Sequence, residues 1–342
     1  MKVSVIIPYY NSEKWIGHCL DSLLNQDMER TDYELIVVDD ESTNSVELLN
    51  DYVAHYPNIK YICQKHARQS AARNTGLMHA TGEYVFFCDA DDYVEKNVLG
   101  SLVKIAEENQ LDILFHNIKK RVRPDEPVKD NFDNDFSYVV YNAGLQSIEL
   151  PLHNYSSYLG TGVWGFIVHR SFLMDNHFQF DEQMIMLEDR KFVVEMLLKA
   201  KRIGKTNAIV YYYVLHPEST IHFLGKKKLS PVYVNNIVSY SKFISTMVGR
   251  IKEEGGRQDI IDSFEREIND CSYIALHNAI RFCPIKQNAS VIRSLRSFGA
   301  YPIRHQGDWP SKVISMMNVY PFWMLACVIL HLVPKPIRIK YF

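Results

Sequence analysis

The sequence predicts an α/β protein, with an open, mostly parallel sheet followed by a helical C-terminal region. Two observations support this fold class. Five short apolar runs alternate with helical patterns in the first third of the chain, as expected when helices connect parallel strands. From about residue 229 onward the pattern is helical. The length of 342 residues is ample for a large core in one domain with an appendage.

The first elements have clear patterns. Residues 3–7 are a β-branched run that Pro8 ends, which is typical of a buried parallel strand. A helix is predicted from about residue 12, because its apolar residues recur at i, i+3 or i+4, and i+7. Residues 35–38 form the second strand and continue directly into an acidic pair.

The alternation continues through the rest of the first domain. Asn44, with Glu47 three residues later, resembles a capping box at the start of the second helix. The later predicted elements are strands at 59–63, 84–88, 112–116, 163–168 and 208–214, helices at 70–79, 96–109, from 188, 231–251, 259–282 and 289–298, and a polar loop at 121–135. We therefore expect one domain at residues 1–220 and a helical region at 221–342.

Composition and charge exclude several classes of protein. Lys and Arg total 38 and Asp and Glu total 40, so a global electrostatic attraction to nucleic acid is not expected. The six cysteines have no CxxC spacing, which favours buried thiols in a reducing compartment over disulfides or a zinc site. The first apolar run is too short for a signal peptide, so we expect a cytoplasmic protein.

Polar residues follow three of the predicted strands. Residues 9–11 (Tyr-Tyr-Asn) follow the first strand, Asp39 and Asp40 follow the second, and residues 89–92 (Asp-Ala-Asp-Asp) follow the fourth. Ordinary turn chemistry would explain one such loop. Three aligned strand ends, one with three carboxylates in four residues, favour a ligand site beyond the carboxyl edge of the sheet.

The loop at residues 89–92 predicts a metal-dependent phosphate chemistry. Carboxylates packed this closely repel one another unless a cation compensates them. Hard oxygen ligands without a nearby His or Cys indicate Mg²⁺ or Mn²⁺, which would neutralise a diphosphate leaving group. No Gly-rich phosphate loop or GxGxxG follows the first strand, so ATPases and dinucleotide-binding enzymes are disfavoured.

Further side chains suit a nucleotide and a second reactant. Asp40 could accept a hydrogen bond from a base imide or ribose hydroxyl, and Tyr10 could stack on a base. Arg73 could reach a phosphate or a base carbonyl, or form a structural ion pair with an acidic loop. Glu188 and Asp189 could supply a general base for an attacking hydroxyl, or could complement the dipole of their helix.

Together these motifs resemble family 2 glycosyltransferases of GT-A fold. The similar segments are residues 3–11, 37–43, 70–76, 81–92 and 163–165, then Glu188 and Asp189, and Tyr213 with Ser219. They cover roughly residues 2–220 in the order typical of the family. Arg68 stands where many members have Gly, and residues 214–216 (Val-Leu-His) stand where many have basic residues. His216 could therefore replace a phosphate contact, or the diphosphate of the donor could be held differently.

The resemblance implies an inverting transfer from a nucleoside-diphosphate sugar, with UDP as the expected nucleotide. The implied donor-binding residues are Pro8, Tyr10, Asp40, Arg73, Asp89 and Ala90. Asp91, with Asp92 or Asp89, would hold Mn²⁺ or Mg²⁺. Asp189 would be the base, with Glu188 the less favoured candidate. The implied acceptor is a glycan, or a glycan linked to polyprenyl diphosphate, in the synthesis of a bacterial surface polysaccharide.

The C-terminal segment is unusually apolar. No Asp, Glu, Lys or Arg lies between Lys312 and Lys335, and the uninterrupted apolar core at 322–330 is too short to cross a bilayer. We expect a helix in the membrane interface, with trailing basic residues near headgroups. Packing on the catalytic domain, packing across a homodimer, and a true membrane span are the alternatives.

The sequence thus predicts a hexosyl- or N-acetylhexosaminyltransferase, and two rival functions are weighed against it. A nucleotidyltransferase also uses strand-end carboxylates and a metal, but usually has a Gly- and Arg-rich loop after the first strand. Residues 8–11 are not such a loop. A catalytically silent nucleotide-sugar-binding or scaffold protein is expected to have lost Asp91 or Asp189, and both are present.

Overall fold

The predicted strands come together in one mixed sheet of the computed structural model, which describes residues 1–44, 46–121, 134–142, 162–216 and 231–303. Within those residues the strands are β1 (Val3–Tyr9), β2 (Tyr33–Asp39), β3 (Ile59–Cys63), β4 (Tyr84–Phe87), β5 (Tyr93–Val94), β6 (Ile113–Arg121), β7 (Tyr138–Asn142), β8 (Phe166–His169) and β9 (Arg202–Val214). Their order is β3-β2-β1-β4-β8-β6-β9-β5, and β7 pairs with β9.

The sheet is mostly parallel, as predicted. Strands β1, β2, β3, β4, β6 and β9 point in one direction. Strand β8 lies between β4 and β6 and is antiparallel to both. All residues of β1, β2 and β4 are buried, which explains why these strands are continuous apolar runs rather than alternating ones.

Helices connect the strands and continue beyond them. The described helices are α1 (Ile16–Leu24), α2 (Glu47–His55), α3 (Arg68–His79), α4 (Leu99–Glu108), α5 (Arg170–Asp175), α6 (Glu188–Lys199), α7 (Pro231–Glu253), α8 (Gln258–Phe282) and α9 (Ile285–Ser297). Helix α3 lies very close to β1, because a Cβ at Gly76 would come within 2.3 Å of Ile6 Cγ2. This approach requires glycine and places α3 beside the central strand.

The structure adds β5, β7 and α5, which the sequence did not predict, and α1 begins at Ile16 rather than at about residue 12. Two further details also differ from the prediction. A strand was predicted at 163–168, but residues 163–165 form a 3₁₀ turn and the strand is Phe166–His169. The capping box is also wrong: Val46 is the N-cap of α2, without a side-chain cap, and Asn44 donates instead to Glu13 at 3.0 Å. A tertiary partner has replaced the local one that the spacing suggested.

The chain divides into two compact units. The first comprises Met1–Met184 and Glu188–His216 and contains the sheet. The second comprises Ile185–Leu187 and Pro217–Phe342, of which 185–187 and 231–303 are described. Its long helices match the predicted helical region. The predicted domain boundary at residue 220 lies outside the described residues.

Within the second unit, the three residues Ile185–Leu187 are joined to α7 by a side chain. Asn236 Oδ1 accepts hydrogen bonds from the backbone N–H groups of Ile185 at 2.6 Å and Met186 at 3.1 Å. No helix among the described residues is long and apolar enough to cross a membrane. The apolar segment at 312–335 and most of the predicted loop at 121–135 lie outside the residues that the structure describes.

Candidate active site

The acidic loops that follow the strands meet at the carboxyl edge of the sheet. Tyr9 lies beside Asp39 in the parallel register of β1 and β2, and Cys88 N donates to Ile6 O at 3.0 Å. The segments after β1, β2 and β4 are therefore neighbours, as the sequence predicted. The end of β9 joins them, since Val214 N donates to Asp92.

Asp92 ties the acidic loop to β9. One of its carboxylate oxygens accepts from Val214 N at 2.7 Å, and the other accepts from the Tyr211 hydroxyl at 2.7 Å. That hydroxyl also accepts a hydrogen bond from Asp89 N at 3.0 Å. Asp92 is 1% exposed, and burial raises its pKa well above the usual range. Both oxygens are engaged, so this geometry favours a structural role, and metal binding by Asp92 stays a prediction.

Asp91 is the more open carboxylate of the loop. Its side chain is 33% exposed, and its Oδ2 atom lies 2.9 Å from His216 Nε2. The Trp15 ring packs on the imidazole at 4.5 Å, and His216 Nδ1 is buried without a partner among the described residues. The geometry thus brings His216 to Asp91. From the sequence, His216 was a candidate to replace a phosphate contact, and that role stays a prediction.

Arg73 joins the acidic loop to a second acidic segment. Its Nη2 atom lies 2.9 Å from Asp89 Oδ1, and its Nη1 atom lies 3.4 Å from Glu188 Oε1. Gln69 also donates to Asp89 Oδ1, at 3.0 Å. Burial raises the pKa of Asp89, and the guanidinium opposes that shift only in part. This geometry favours the ion-pair interpretation of Arg73, while a donor contact stays a prediction.

Glu188 and Asp189 begin α6, as predicted, but their surroundings differ. Glu188 is buried, and burial followed by the negative charge of Asp189 raises its pKa to about 7. Asp189 is partly exposed, and its Oδ1 atom accepts from Arg190 N at 2.7 Å. Of the two carboxylates, Asp189 is the one better placed to receive a proton from a second reactant.

Asp40 is almost fully enclosed by donors. Its carboxylate accepts from the Gln64 side chain, the backbone N–H groups of Ala67 and Arg68, and lies 2.9 Å from His66 Nδ1. The exposed fraction of Asp40 is 3%. Its carboxylate therefore holds the segment that begins α3, and direct contact with a nucleoside base stays a prediction.

The neighbouring surface is formed by Tyr10 and His66, whose rings lie 4.8 Å apart. Tyr10 is 46% exposed, whereas Pro8 lies in the buried strand β1 and Ala90 is also buried. Arg68 has a φ of 77°, in the left-handed region that favours glycine. This backbone conformation explains why many similar proteins have Gly at the position of Arg68. The two rings are tilted by 41° to each other, so a flat ligand could stack on only one of them, and the Tyr10 ring is accessible.

Several contributors to the site were missed by sequence reasoning. Tyr211 belongs to a run of three tyrosines, which by itself indicates only a strand. Trp15 lies among the apolar residues of its predicted helix, and nothing in the sequence around His66 points to a ligand. Periodicity shows only whether such residues are in the core or at the surface. Their part in the site is visible only from the contacts of the fold, which bring them to Asp91, Asp92 or Asp40.

Comparisons with known proteins show the family to which this chain is related. The model of glycosyl transferase family 2 matches residues 4–154. An uncharacterized glycosyltransferase EpsJ of Bacillus subtilis is 30% identical over 260 residues, which are 74% of this chain and 73% of that protein. The poly(ribitol-phosphate) beta-glucosyltransferase of Bacillus spizizenii is 33% identical over 230 residues, which are 63% of this chain. The matched part is only 32% of the latter protein's length.

A solved structure is also similar along most of the chain. The crystal structure of S. aureus TarS 1-349 in complex with UDP has 25% sequence identity and a TM-score of 0.54. The match covers 93% of this chain and 89% of that one.

Proposed function

This chain belongs to glycosyl transferase family 2, and on that premise we propose that it catalyses an inverting, metal-assisted transfer of a hexosyl or N-acetylhexosaminyl group from a UDP-sugar to an acceptor hydroxyl. One observation carries this proposal: the buried guanidinium of Arg73 contacts both Asp89 of the acidic loop and Glu188 beside Asp189. The acidic loop, which could bind a diphosphate through a metal ion, and the carboxylates that could act as a general base therefore lie around one side chain. Family membership argues against the nucleotidyltransferase alternative.

Asp91 is the residue that we assign to a divalent cation. Its carboxylate is partly exposed and is a hard oxygen ligand of the kind that Mg²⁺ and Mn²⁺ prefer. Among the described residues no group of three His, Cys, Asp or Glu side chains is arranged to hold a metal, so phosphate oxygens and water would complete the ligands. When bound, such an ion neutralises charge on a diphosphate leaving group.

Asp189 is the base in this proposal. The acceptor hydroxyl oxygen attacks the anomeric carbon and transfers its proton to the Asp189 carboxylate. The bond from that carbon to the diphosphate oxygen breaks, and its electron pair leaves with the diphosphate. The attack comes from the face opposite the leaving group, so the configuration inverts. Glu188 is buried against Arg73 and is therefore less accessible to an acceptor.

Tyr10 is the proposed contact for the nucleoside base. Its exposed ring, beside the imidazole of His66, is a surface on which a pyrimidine could stack. Pro8, Asp40 and Ala90 would shape this pocket, since all three are buried at the same edge of the sheet. The choice of UDP is supported by the complex of TarS 1-349 with that nucleotide.

The acceptor that we propose is a glycan of a bacterial surface polysaccharide, either free or linked to polyprenyl diphosphate. The name of the Bacillus spizizenii relative, a poly(ribitol-phosphate) beta-glucosyltransferase, supports this class. The proposed peripheral membrane contact through residues 312–342 lies outside the described residues, and a homodimer stays a prediction.

Calorimetric titration with UDP and with GDP, each with and without Mn²⁺, tests the proposal. We expect UDP to bind, and to bind more tightly with Mn²⁺, and we expect the chain to transfer sugar from UDP-glucose or UDP-N-acetylglucosamine to a glycan of a bacterial surface polysaccharide. Binding of GDP alone would change the assigned nucleotide. Failure to bind either nucleotide, together with no transfer, would favour the catalytically silent alternative.

A further inference from the structure

Arg73 is an arginine without access to solvent at the centre of the site. Its exposed fraction is 2%, and its terminal nitrogens lie 2.9 Å from Asp89 and 3.4 Å from Glu188. The chain separation between these partners is large, at 16 residues to Asp89 and 115 to Glu188. One side chain therefore connects the loop after β4 with the first residue of α6.

Packing around the guanidinium restricts it to this position. Its carbon Cζ lies over the Phe180 ring, 5.3 Å from the centroid. Asn74, the next residue of α3, holds the Phe180 backbone through two hydrogen bonds, at 2.8 and 3.0 Å. Phe180 in turn stacks on Phe192 of α6, with centroids 4.0 Å apart and planes within 8°. Arg73 and α6 thus share one rigid aromatic support.

The charges around Arg73 explain why arginine is needed here. Asp89, Glu188 and Asp189 are three carboxylates close to one cation, and buried carboxylates are costly without a compensating charge. A guanidinium can hold two carboxylates at once because its donors form a planar fork, whereas an ammonium is a point charge. Both terminal nitrogens contact carboxylates, and only 2% of the residue is exposed, so its charge is directed at the acidic loop and the start of α6.

We propose that Arg73 is a positioning residue of the transfer reaction, which holds the first turn of α6 against the acidic loop and thereby sets where Asp189 meets the acceptor. The inference rests on the proposed function, because it takes Asp189 as the base. In this role Arg73 positions α6 and does not contact the donor, whereas the resemblance implied a donor contact. A misplacement of about 1 Å in such a base lowers turnover by roughly a hundredfold.

The Arg73→Lys variant tests this role, because it keeps the positive charge and removes the fork. We expect kcat to fall about tenfold to a hundredfold, while KM for the UDP-sugar and the Kd for UDP stay within about threefold. Arg170→Lys is the matched control, since Arg170 Nε donates to Gly82 O at 2.8 Å near the opposite edge of the sheet. That variant should retain the wild-type kcat.

The Glu188→Gln variant keeps the inference testable where Arg73→Lys is poorly folded, and a double-mutant cycle of the two substitutions adds to it where both variants fold. If Arg73 acts through Glu188, the single variant Glu188→Gln also lowers kcat with unchanged UDP binding, and the double variant is little worse than either single one. Multiplied losses in kcat would show that Arg73 does not act through Glu188, and a Kd for UDP raised tenfold by Arg73→Lys would assign Arg73 to the donor; either result would overturn the inference.

The failure of this inference is distinguishable from failure of the proposed function. Wild-type protein that neither binds UDP nor transfers sugar would overturn the proposed function and, with it, the role of Arg73. Wild-type protein that is active, together with Arg73→Lys of unchanged kcat, would overturn the positioning role alone.

Discussion

Carboxylates are buried at both edges of the sheet, but their pKa values are shifted in opposite directions. At the amino edge, Glu34 is 1% exposed, yet it accepts from Ser4 Oγ at 2.6 Å and from Thr81 N at 2.8 Å, and Lys60 Nζ lies 2.5 Å away. Burial alone would raise its pKa, but the hydrogen bonds from Lys60, Ser4 and Thr81 lower it to about 2. The ionised form is therefore stabilised by folding.

At the carboxyl edge the balance is reversed. Burial raises the pKa of Asp89, Asp92 and Glu188, and neighbouring negative charges add to the shift. Several carboxylates there share the buried guanidinium of Arg73, so their charges are only partly compensated. The ionised carboxylate at the amino edge stabilises the fold. The clustered carboxylates at the carboxyl edge destabilise it, but their concentrated charge is suited to binding and proton transfer.

The largest effect is expected at the open carboxylate of the carboxyl edge. Asp91→Ala should lower the transfer rate by about a thousandfold or more, because it removes the residue assigned to the cation that neutralises the diphosphate. The thermal unfolding midpoint should stay close to that of the wild type. Asp51→Ala, at an exposed position of α2, is the control for removal of a carboxylate. Full activity of Asp91→Ala would exclude this residue as the ligand.

The next effect separates the base from the donor site. Asp189→Asn should lower kcat by about a hundredfold to ten-thousandfold, because the amide cannot accept the acceptor's proton. Calorimetry should show unchanged UDP binding. An Asp189→Asn enzyme with normal kcat would move the base elsewhere, with Glu188 the first residue to test.

A stability measurement tests the opposite edge. Glu34→Gln should lower the free energy of unfolding by about 1–3 kcal/mol, since it removes the buried charge that Lys60, Ser4 and Thr81 solvate. Glu83→Gln is the matched control, because Glu83 is 41% exposed and its pairing with Lys2 is worth about 0–1 kcal/mol. Equal effects of the two substitutions in urea unfolding would contradict the contrast between the edges.

The smallest effect is a difference in pH dependence. The pKa of Glu34 is lowered by folding, so its contribution to stability is present above the unfolded pKa near 4.5 and is lost as pH falls towards 2. The pKa of Glu188 is raised to about 7, so stability decreases as pH rises from about 4.5 to 7. Glu188→Gln should remove the second slope and Glu34→Gln the first. Unfolding midpoints at pH 3 to 8 would show whether the two slopes have opposite signs.

Much of the carboxyl edge could be predicted from the sequence alone. The β-branched run that ends at Pro8, the alternation with amphipathic helices, and the acidic residues after β2 and β4 are local patterns. Each depends on residues that are close in the chain, because strand and helix periodicity is set by backbone geometry. The rule that parallel strands end at one edge then placed Tyr10, Asp40 and the acidic loop together.

Only the tertiary structure decided how those residues are partnered. Arg73 contacts Glu188 across 115 residues, Tyr211 donates to Asp92 across 119, and His216 lies at Asp91 across 125. These pairs depend on the order of the strands, above all on β8 entering antiparallel between β4 and β6. Nothing in a local pattern encodes that order, because it is settled by which faces pack together. For this reason the sequence indicated which carboxylates matter, and the fold determined which of them stay open for chemistry.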